Sequence, residues 1–309
     1  NIGVVYSKWG QYDKAIKNFK EALAIDKKLG RKSGVGVAAT LANIGGVYES
    51  WGKYDKAMKY YEEALAINKK IGQEDRVASS LGNIGNICFS WGKYDKAMKY
   101  LKESLAIRKK LGLESGIATS LNNIGVVYSK WGQYDKAIKN YKESLAIRKK
   151  LGLESGIATC RNSIGKVYHS WGQYDKAIKN YEEALDIARK LGQEGRIASG
   201  LGNIGSVYDS RRQYDKAIKY YKESLAIDKK LGRESGIASC LYDIGGVCKS
   251  WGQYDKAIKY YKESLAINKK LGQKNGVGAC LGGIGGVYKS WGQYDKAIKY
   301  YKKSLAIAE

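Results

Sequence analysis

Proline is absent from this sequence of 309 residues, and histidine occurs once, as His169. Without proline there is no proline-rich linker, so the turns must depend on the 38 glycines. A single histidine cannot form an imidazole cluster for a metal. No nucleophile-elbow, zinc-protease or P-loop motif occurs either. We therefore expect no enzymatic activity, no bound metal and no cofactor.

Long apolar runs and close cysteine pairs are also missing. No run of about 18 apolar residues and no signal peptide is found, so we expect a cytoplasmic protein without membrane insertion. The cysteines lack the CxxC spacing of zinc and redox sites. We expect all of them to be reduced and to pack as small apolar residues. They are Cys88, Cys160, Cys240, Cys248 and Cys280.

A repeat dominates what is present. The tetrapeptide Tyr-Asp-Lys-Ala returns once after 42 residues and then every 40 residues. A constant period of this size indicates stacked supersecondary units, which bury their apolar sides against each other. We therefore expect a single repeat array over residues 1–309. The tetrapeptide begins at Tyr12, Tyr54, Tyr94, Tyr134, Tyr174, Tyr214, Tyr254 and Tyr294.

Each repeat contains two helical patterns, called here the first and the second helix. The pattern from Tyr12 has helical apolar spacing and stops at Gly30 after lysines, a helix C-terminal signal. We expect the two extra residues of the 42-residue spacing to lengthen the first helix that begins near Ser33. A partial first helix is predicted at 1–9, and first helices near 33–50, 74–90, 114–130, 154–170, 194–210, 234–250 and 274–290. Second helices are predicted to start near 12, 54, 94, 134, 174, 214, 254 and 294.

Leucine, glycine, alanine and aromatic residues recur at constant offsets in every copy. In one copy these positions hold Leu81, Ile84, Gly85, Cys88, Ala97, Leu101 and Ser104. The pattern resembles the tetratricopeptide repeat family. The longer period and the missing proline resemble the subgroup of kinesin light chain and Pins-type adaptors. The resemblance implies an all-α fold, a right-handed superhelical solenoid of stacked antiparallel helix-turn-helix repeats.

Two recurring residues predict packing. Glycine in mid-helix, as at Gly45 and Gly85, costs about 1 kcal/mol against alanine, so we expect a neighbouring helix to come close there. Tryptophan recurs at the turn, and units lie about 10 Å apart, so we expect turn packing rather than a stacked ladder. Arg211-Arg212 replaces Trp-Gly in one repeat, which indicates either sequence drift or a local anion contact.

The resemblance also implies a concave groove built from the first helices. Asn1, Asn43, Asn83, Asn123 and Asn203 form a column there, and an amide can both donate to and accept from a peptide backbone. The alternative is that these asparagines bond only to neighbouring helices. The predicted peptide-binding residues are Asn43, Asn83, Asn86, Asn122, Asn123, Lys130, Asn162, Lys166, His169, Asn203, Asp209, Tyr242, Asp243 and Lys249.

The expected function is a non-enzymatic protein-protein interaction scaffold that binds a peptide or partner segment in this groove. The formal net charge of +25 leaves an acidic partner, or a basic nucleic-acid-binding array, as an alternative. Against it, Asp255, Lys259 and Glu263 follow each other at intervals of four, which is typical of a solvated helix face. A third alternative is the sensor or regulatory segment of a larger signalling protein.

The two ends of the sequence lack caps. It begins within a helical pattern and ends with Ala-Ile-Ala-Glu, although terminal repeats normally carry a polar cap. We expect either a fragment of a longer protein or end-to-end self-association.

Overall fold

The computed structural model describes residues 2–29 and 34–307, which form sixteen α-helices and no strand. The chain divides into two compact units, Asn1–Leu153 (unit 1) and Glu154–Glu309 (unit 2). Inside each unit, successive helices pack as neighbours. The all-α fold of tandem helix pairs is thereby confirmed, while one continuous array and a right-handed superhelix stay predictions. None of the described helices is long and apolar enough to cross a membrane.

The odd-numbered helices are the first helices of the repeats. Their bounds are α1 (Ile2–Lys8), α3 (Val35–Ser50), α5 (Glu74–Ser90), α7 (Glu114–Lys130), α9 (Glu154–Ser170), α11 (Glu194–Ser210), α13 (Glu234–Ser250) and α15 (Lys274–Ser290). The even-numbered helices are the second helices, and each begins at the tyrosine of the repeated tetrapeptide. Their bounds are α2 (Tyr12–Lys28), α4 (Tyr54–Lys70), α6 (Tyr94–Lys110), α8 (Tyr134–Lys150), α10 (Tyr174–Lys190), α12 (Tyr214–Lys230), α14 (Tyr254–Lys270) and α16 (Tyr294–Leu305).

Glycine ends the helices because the chain leaves them through left-handed backbone. Gly52 follows α3 with φ 74°, and its N–H donates to the carbonyl of Glu49 at 2.9 Å. The next N–H, of Lys53, donates to the carbonyl of Tyr48 at 2.9 Å. These two bonds satisfy the last carbonyls of the helix. A turn this short makes consecutive helices antiparallel neighbours.

The two helices of a repeat pack around the mid-helix glycine. A Cβ placed on Gly165 in unit 2 would lie 2.7 Å from the ring of Tyr181, and one on Gly85 in unit 1 would lie 2.8 Å from Leu101. Both side chains are 1% exposed, so they have little room to move. The predicted close approach is confirmed, and the group that approaches is mainly a large side chain of the second helix.

A buried serine on the second helix also ties the helices together. The hydroxyl of Ser104 donates to the carbonyl of Ala78 at 2.7 Å, and that of Ser224 donates to Ala198 at 2.8 Å. These bonds remove the cost of burying the hydroxyl. The five cysteines are free and buried, as predicted. Burial raises the pKa of the Cys240 thiol to about 11, so it stays protonated.

Ion pairs join the end of the second helix of a repeat to the start of the first helix of the same repeat. Lys110 contacts Glu74 at 2.7 Å, and Lys230 contacts Glu194 at 2.6 Å. These side chains are exposed, so each pair contributes less than about 1 kcal/mol. They contribute little stability, but they mark the edge of the repeats at which the second helices end.

Helix α3 contradicts one prediction. It has 16 residues where α5 has 17, so the extra pair of residues does not lengthen it. The helix starts only after Gly34, whose φ of −157° is extended, and glycine is a poor helix former. Some predicted positions lie outside the described residues, namely Asn1, Gly30, Ser33, Ala308 and Glu309.

Candidate partner-binding face

The fourteen predicted binding residues all lie on first helices. We call the surface that they share within a unit the first-helix face of that unit. Each of these residues is half-buried or exposed, and none is fully buried. In unit 1 they are Asn43, Asn83, Asn86, Asn122, Asn123 and Lys130. In unit 2 they are Asn162, Lys166, His169, Asn203, Asp209, Tyr242, Asp243 and Lys249.

In unit 1 this face is rich in amides. The side-chain N–H of Asn123 donates to the side-chain oxygen of Asn86 across α7 and α5, at 2.9 Å. The alternative of bonding between neighbouring helices therefore holds for this pair. The bond does not use the amide hydrogens of Asn86 or the side-chain oxygen of Asn123, and those atoms can bind a second molecule.

Asn122 and Asn162 each have a side-chain oxygen that is buried without a hydrogen-bond partner. Asn122 belongs to the face of unit 1, and Asn162 belongs to the face of unit 2. A buried carbonyl oxygen without a donor costs free energy. The described residues supply no donor to either oxygen.

In unit 2 the face carries two carboxylates. Burial is the main cause that raises the pKa of Asp243 to about 6, and the nearby Asp209 raises it further. Burial also raises the pKa of Asp209. The ring of Tyr242 packs edge-on against Tyr261 at 5.2 Å between centroids. A cation brought to this pair would relieve both the repulsion and part of the desolvation.

His169 forms a hydrogen-bond chain on the same face. Its Nε2 lies 2.8 Å from the hydroxyl of Ser210, and that hydroxyl donates its proton to the carbonyl of Ser206 at 3.1 Å. The hydroxyl of Ser210 therefore links the His169 ring on α9 to the backbone of α11. Burial lowers the pKa of His169, so the neutral ring is favoured near neutral pH.

Lys249 lies across the glycine-rich helix α15. Its Nζ would be 3.2 Å from a Cβ placed on Gly286, so a side chain at that position would displace the lysine. The hydroxyl of Tyr301 is 3.6 Å from the same point. In unit 2 the face therefore combines acidic groups on α11 and α13 with a lysine that reaches α15.

Comparison with known proteins places this geometry in a family. The tetratricopeptide repeat model matches residues 1–70, 36–110, 116–190, 196–270 and 252–309. The chain belongs to the tetratricopeptide repeat family. Among curated proteins, none matches the sequence.

Solved structures of tetratricopeptide-like arrays share the fold. BtubC from P. vanneervenii is 23% identical, with 72% of this chain and 92% of BtubC covered and a TM-score of 0.63. The apo form of RapI is 17% identical, with 88% and 97% covered and a TM-score of 0.68. A Rap protein complexed with competence and sporulation factor is 16% identical, with 100% and 96% covered and a TM-score of 0.63. At these identities the likeness shows the fold alone.

The tryptophans of this tetratricopeptide repeat chain pack against tyrosines. Trp251 pairs with Tyr214 at 5.9 Å between ring centroids, and Trp291 pairs with Tyr254 at 5.6 Å. Turn packing is therefore what the described tryptophan contacts indicate. A cleft of about 570 Å³ lies beside Trp291, but lysines and carboxylates line it together, so its charge does not select one kind of ligand.

Arg211 takes the place of a tryptophan in this packing. Its guanidinium lies 5.6 Å from the ring centroid of Tyr174, and it forms an ion pair with Asp175. A local contact to an anion is therefore present within unit 2, and the anion is the carboxylate of Asp175. Arg212, the next residue, occupies the glycine position with φ 58°.

Tyrosine hydroxyls beneath the face were not among the predicted residues. The hydroxyl of Tyr221 bonds to Ser206, and that of Tyr61 donates to Glu49 at 3.3 Å. The sequence signal was present in part, since glycine stands at the position of Ser206 in three other repeats, at Gly46, Gly246 and Gly286, and opens the face above the tyrosine. One example is Gly246, where a Cβ would lie 3.6 Å from the Tyr261 hydroxyl. Over residues 2–29 and 34–307, no group of three metal-ligating side chains occurs.

Proposed function

We propose that this chain is a non-enzymatic scaffold that binds peptides or partner segments along its first-helix faces. One contrast carries the proposal. The second helices repeat the same packed residues, whereas one column of the first-helix face changes from Asn123 to Ser163, Asn203 and Asp243. Variable polar groups on a constant framework give each repeat its own partner contact.

The chemistry of each face favours a different part of a peptide. In unit 1, amides suit a peptide backbone, because they offer a donor and an acceptor whatever the side chain. In unit 2, Asp209 and Asp243 suit a lysine or arginine side chain. A Rap protein of similar fold has been solved in complex with competence and sporulation factor, which supports partner binding by a fold of this kind.

Selection of binders from a random peptide library, displayed on phage against the purified chain, tests the proposal. The chosen peptides are then titrated by fluorescence anisotropy. Each of Asn83→Ala, Asn123→Ala and Asn203→Ala should weaken binding about tenfold, since a lost hydrogen bond costs about 1 to 1.5 kcal/mol.

Asn140→Ala is the matched control. Asn140 lies on second helix α8, where its amide donates to its own helix at Lys136. This variant removes the same chemistry away from the face and should bind normally. Unchanged affinity in all three face variants would contradict the proposed site.

A further inference from the structure

Two adjacent turns of unit 1 expose leucines at their tips. The turn between α6 and α7 holds Leu111 and Leu113, which are 38% and 39% exposed. The turn after α8 holds Leu151 and Leu153, which are 38% and 42% exposed. We call these four residues the leucine tips. Apolar residues that are exposed together at one edge can mark an interaction surface.

The repeat framework accounts for two of these four leucines, Leu111 and Leu151. Position 111 is occupied by an apolar residue in the other repeats too, at Ile71, Leu191, Leu231 and Leu271, so it belongs to the framework. Position 113 is different, because the equivalent residues are Gln73, Gln193, Arg233 and Gln273. Leucine occurs there only in these two turns. The additional leucines are therefore not needed for the turn.

The two turns lie side by side. Glu114 directly follows Leu113, and its carboxylate contacts Lys150, which directly precedes Leu151, at 2.5 Å. This ion pair places the two leucine-bearing turns next to each other at one edge of unit 1. The edge is separate from the first-helix face, because it lies where the second helices end.

Lysines outnumber carboxylates around the tips, although Glu154 directly follows Leu153. Lys110 and Lys150 are neutralised by Glu74 and Glu114. Lys109 and Lys149 are exposed and occur in none of the ion pairs found among the described side chains. The edge thus combines exposed leucine with net positive charge.

This composition indicates the kind of partner. Protein interfaces favour tryptophan, tyrosine and arginine, while lysine is depleted and leucine is rare among the energetically dominant residues. Apolar side chains flanked by lysine are instead what anionic membrane surfaces attract. We propose that the leucine tips of unit 1 dock on an anionic lipid bilayer surface. The leucines enter the headgroup layer, and Lys109 and Lys149 meet the lipid phosphates.

Cosedimentation of the whole chain with phosphatidylcholine vesicles, with and without about 30% phosphatidylserine, tests the proposal. The chain should bind the anionic vesicles at least about tenfold more tightly, and added salt should weaken binding. The double variant Leu113→Gln/Leu153→Gln should reduce partitioning about tenfold. It should fold normally, because glutamine occupies these positions in other repeats, and circular dichroism checks this.

Two double variants distinguish the effect of the lysines at the leucine tips from the effect of the overall net charge. Lys109→Gln/Lys149→Gln removes two charges at the tips, and Lys59→Gln/Lys99→Gln removes two from the exposed sides of α4 and α6 in the same unit. Only the first should weaken vesicle binding strongly. Absence of binding to anionic vesicles, equal loss in both lysine variants, or full binding by the leucine variant would each overturn the proposal. Binding of polyglutamate that is lost in the leucine variant, together with no binding to vesicles, would assign the edge to an acidic protein segment instead. Peptide binding at the first-helix faces is measured separately and does not depend on this result.

Discussion

Unit 1 and unit 2 build the same helix pairs but present different chemistry on their first-helix faces. Unit 1 offers amides, of which Asn86 and Asn123 bond to each other. Unit 2 offers ionisable groups, including His169, Asp209 and Asp243. The packing glycines and the second-helix tyrosines or leucines are shared by both. The difference teaches that the repeated residues maintain the framework, and that the unrepeated ones can change without disturbing it.

The contrast has an electrostatic consequence. The amides of unit 1 do not titrate, although burial raises the pKa of Glu49 on α3. The raised pKa of Asp243, about 6, places a change of charge just below neutral pH in unit 2. Binding of a basic peptide segment by unit 2 should weaken as pH falls through this value.

The largest expected effect tests the shared framework in both units. Gly165→Ala in unit 2 and Gly85→Ala in unit 1 should lower the free energy of unfolding by about 2 to 3 kcal/mol, because the added carbon overlaps Tyr181 or Leu101. Urea denaturation measures the loss. The rigid tyrosine ring should make Gly165→Ala the worse of the two.

Gly278→Ala controls for helix propensity. A Cβ there would lie 3.8 Å from the Ser304 hydroxyl, an ordinary contact, so stability should stay equal or rise by up to about 1 kcal/mol. If all three variants lost the same stability, overlap with the second helix would not be the cause.

The next largest effect is a pH dependence of the free energy of unfolding that Asp243 gives to unit 2. In the folded state the pKa of Asp243 is raised above its ordinary value, chiefly by burial. Its contribution to stability is therefore fully present below about pH 4 and is lost as pH rises through about 6. Asp243→Asn should raise the free energy of unfolding by about 2 kcal/mol at neutral pH and leave it unchanged near pH 4.

Urea denaturation at both pH values measures this change. Asn123→Asp, which brings a carboxylate to the equivalent position in unit 1, is the reciprocal variant. It should introduce a pH dependence there. A pH-independent gain in Asp243→Asn would show that charge is not responsible.

The smallest expected effect concerns one turn of unit 2. Arg212 adopts left-handed backbone that glycine adopts at the equivalent turns of unit 1, such as Gly52 and Gly92. Arg212→Gly should therefore stabilise the chain by about 1 kcal/mol. Gly52→Arg in unit 1 should destabilise it by a similar amount. Thermal denaturation compares the two, and a loss of stability in Arg212→Gly would mean that the arginine side chain contributes more than its backbone costs.

Much of the fold could be predicted because it is local and repeated. The Tyr-Asp-Lys-Ala tetrapeptide marks the start of each second helix, and the glycines after the helices mark their ends. The start of α3 could not be predicted, because Gly34 and the two extra residues of the repeat leave several starting points open. Only the packed structure selects Val35.

The candidate faces were predicted in part. The resemblance to the tetratricopeptide repeat implied these fourteen positions, and the structure shows each of them half-buried or exposed on a first helix. Their role in binding a peptide stays a prediction. The sequence could not indicate that Asn123 bonds to Asn86, or that Asp209 and Asp243 influence each other, since each pair lies on two different helices.

The sequence by itself determined the all-α class, the repeat length and the alternation of packed and exposed positions, because these depend on contacts within a helix or between adjacent helices. The tertiary structure decided which side chains meet. Arg211 replaces a tryptophan by lying over Tyr174, and Lys150 joins two leucine-bearing turns through Glu114. Such contacts join residues nearly a full repeat apart in the sequence, so they exist only once the helices have packed.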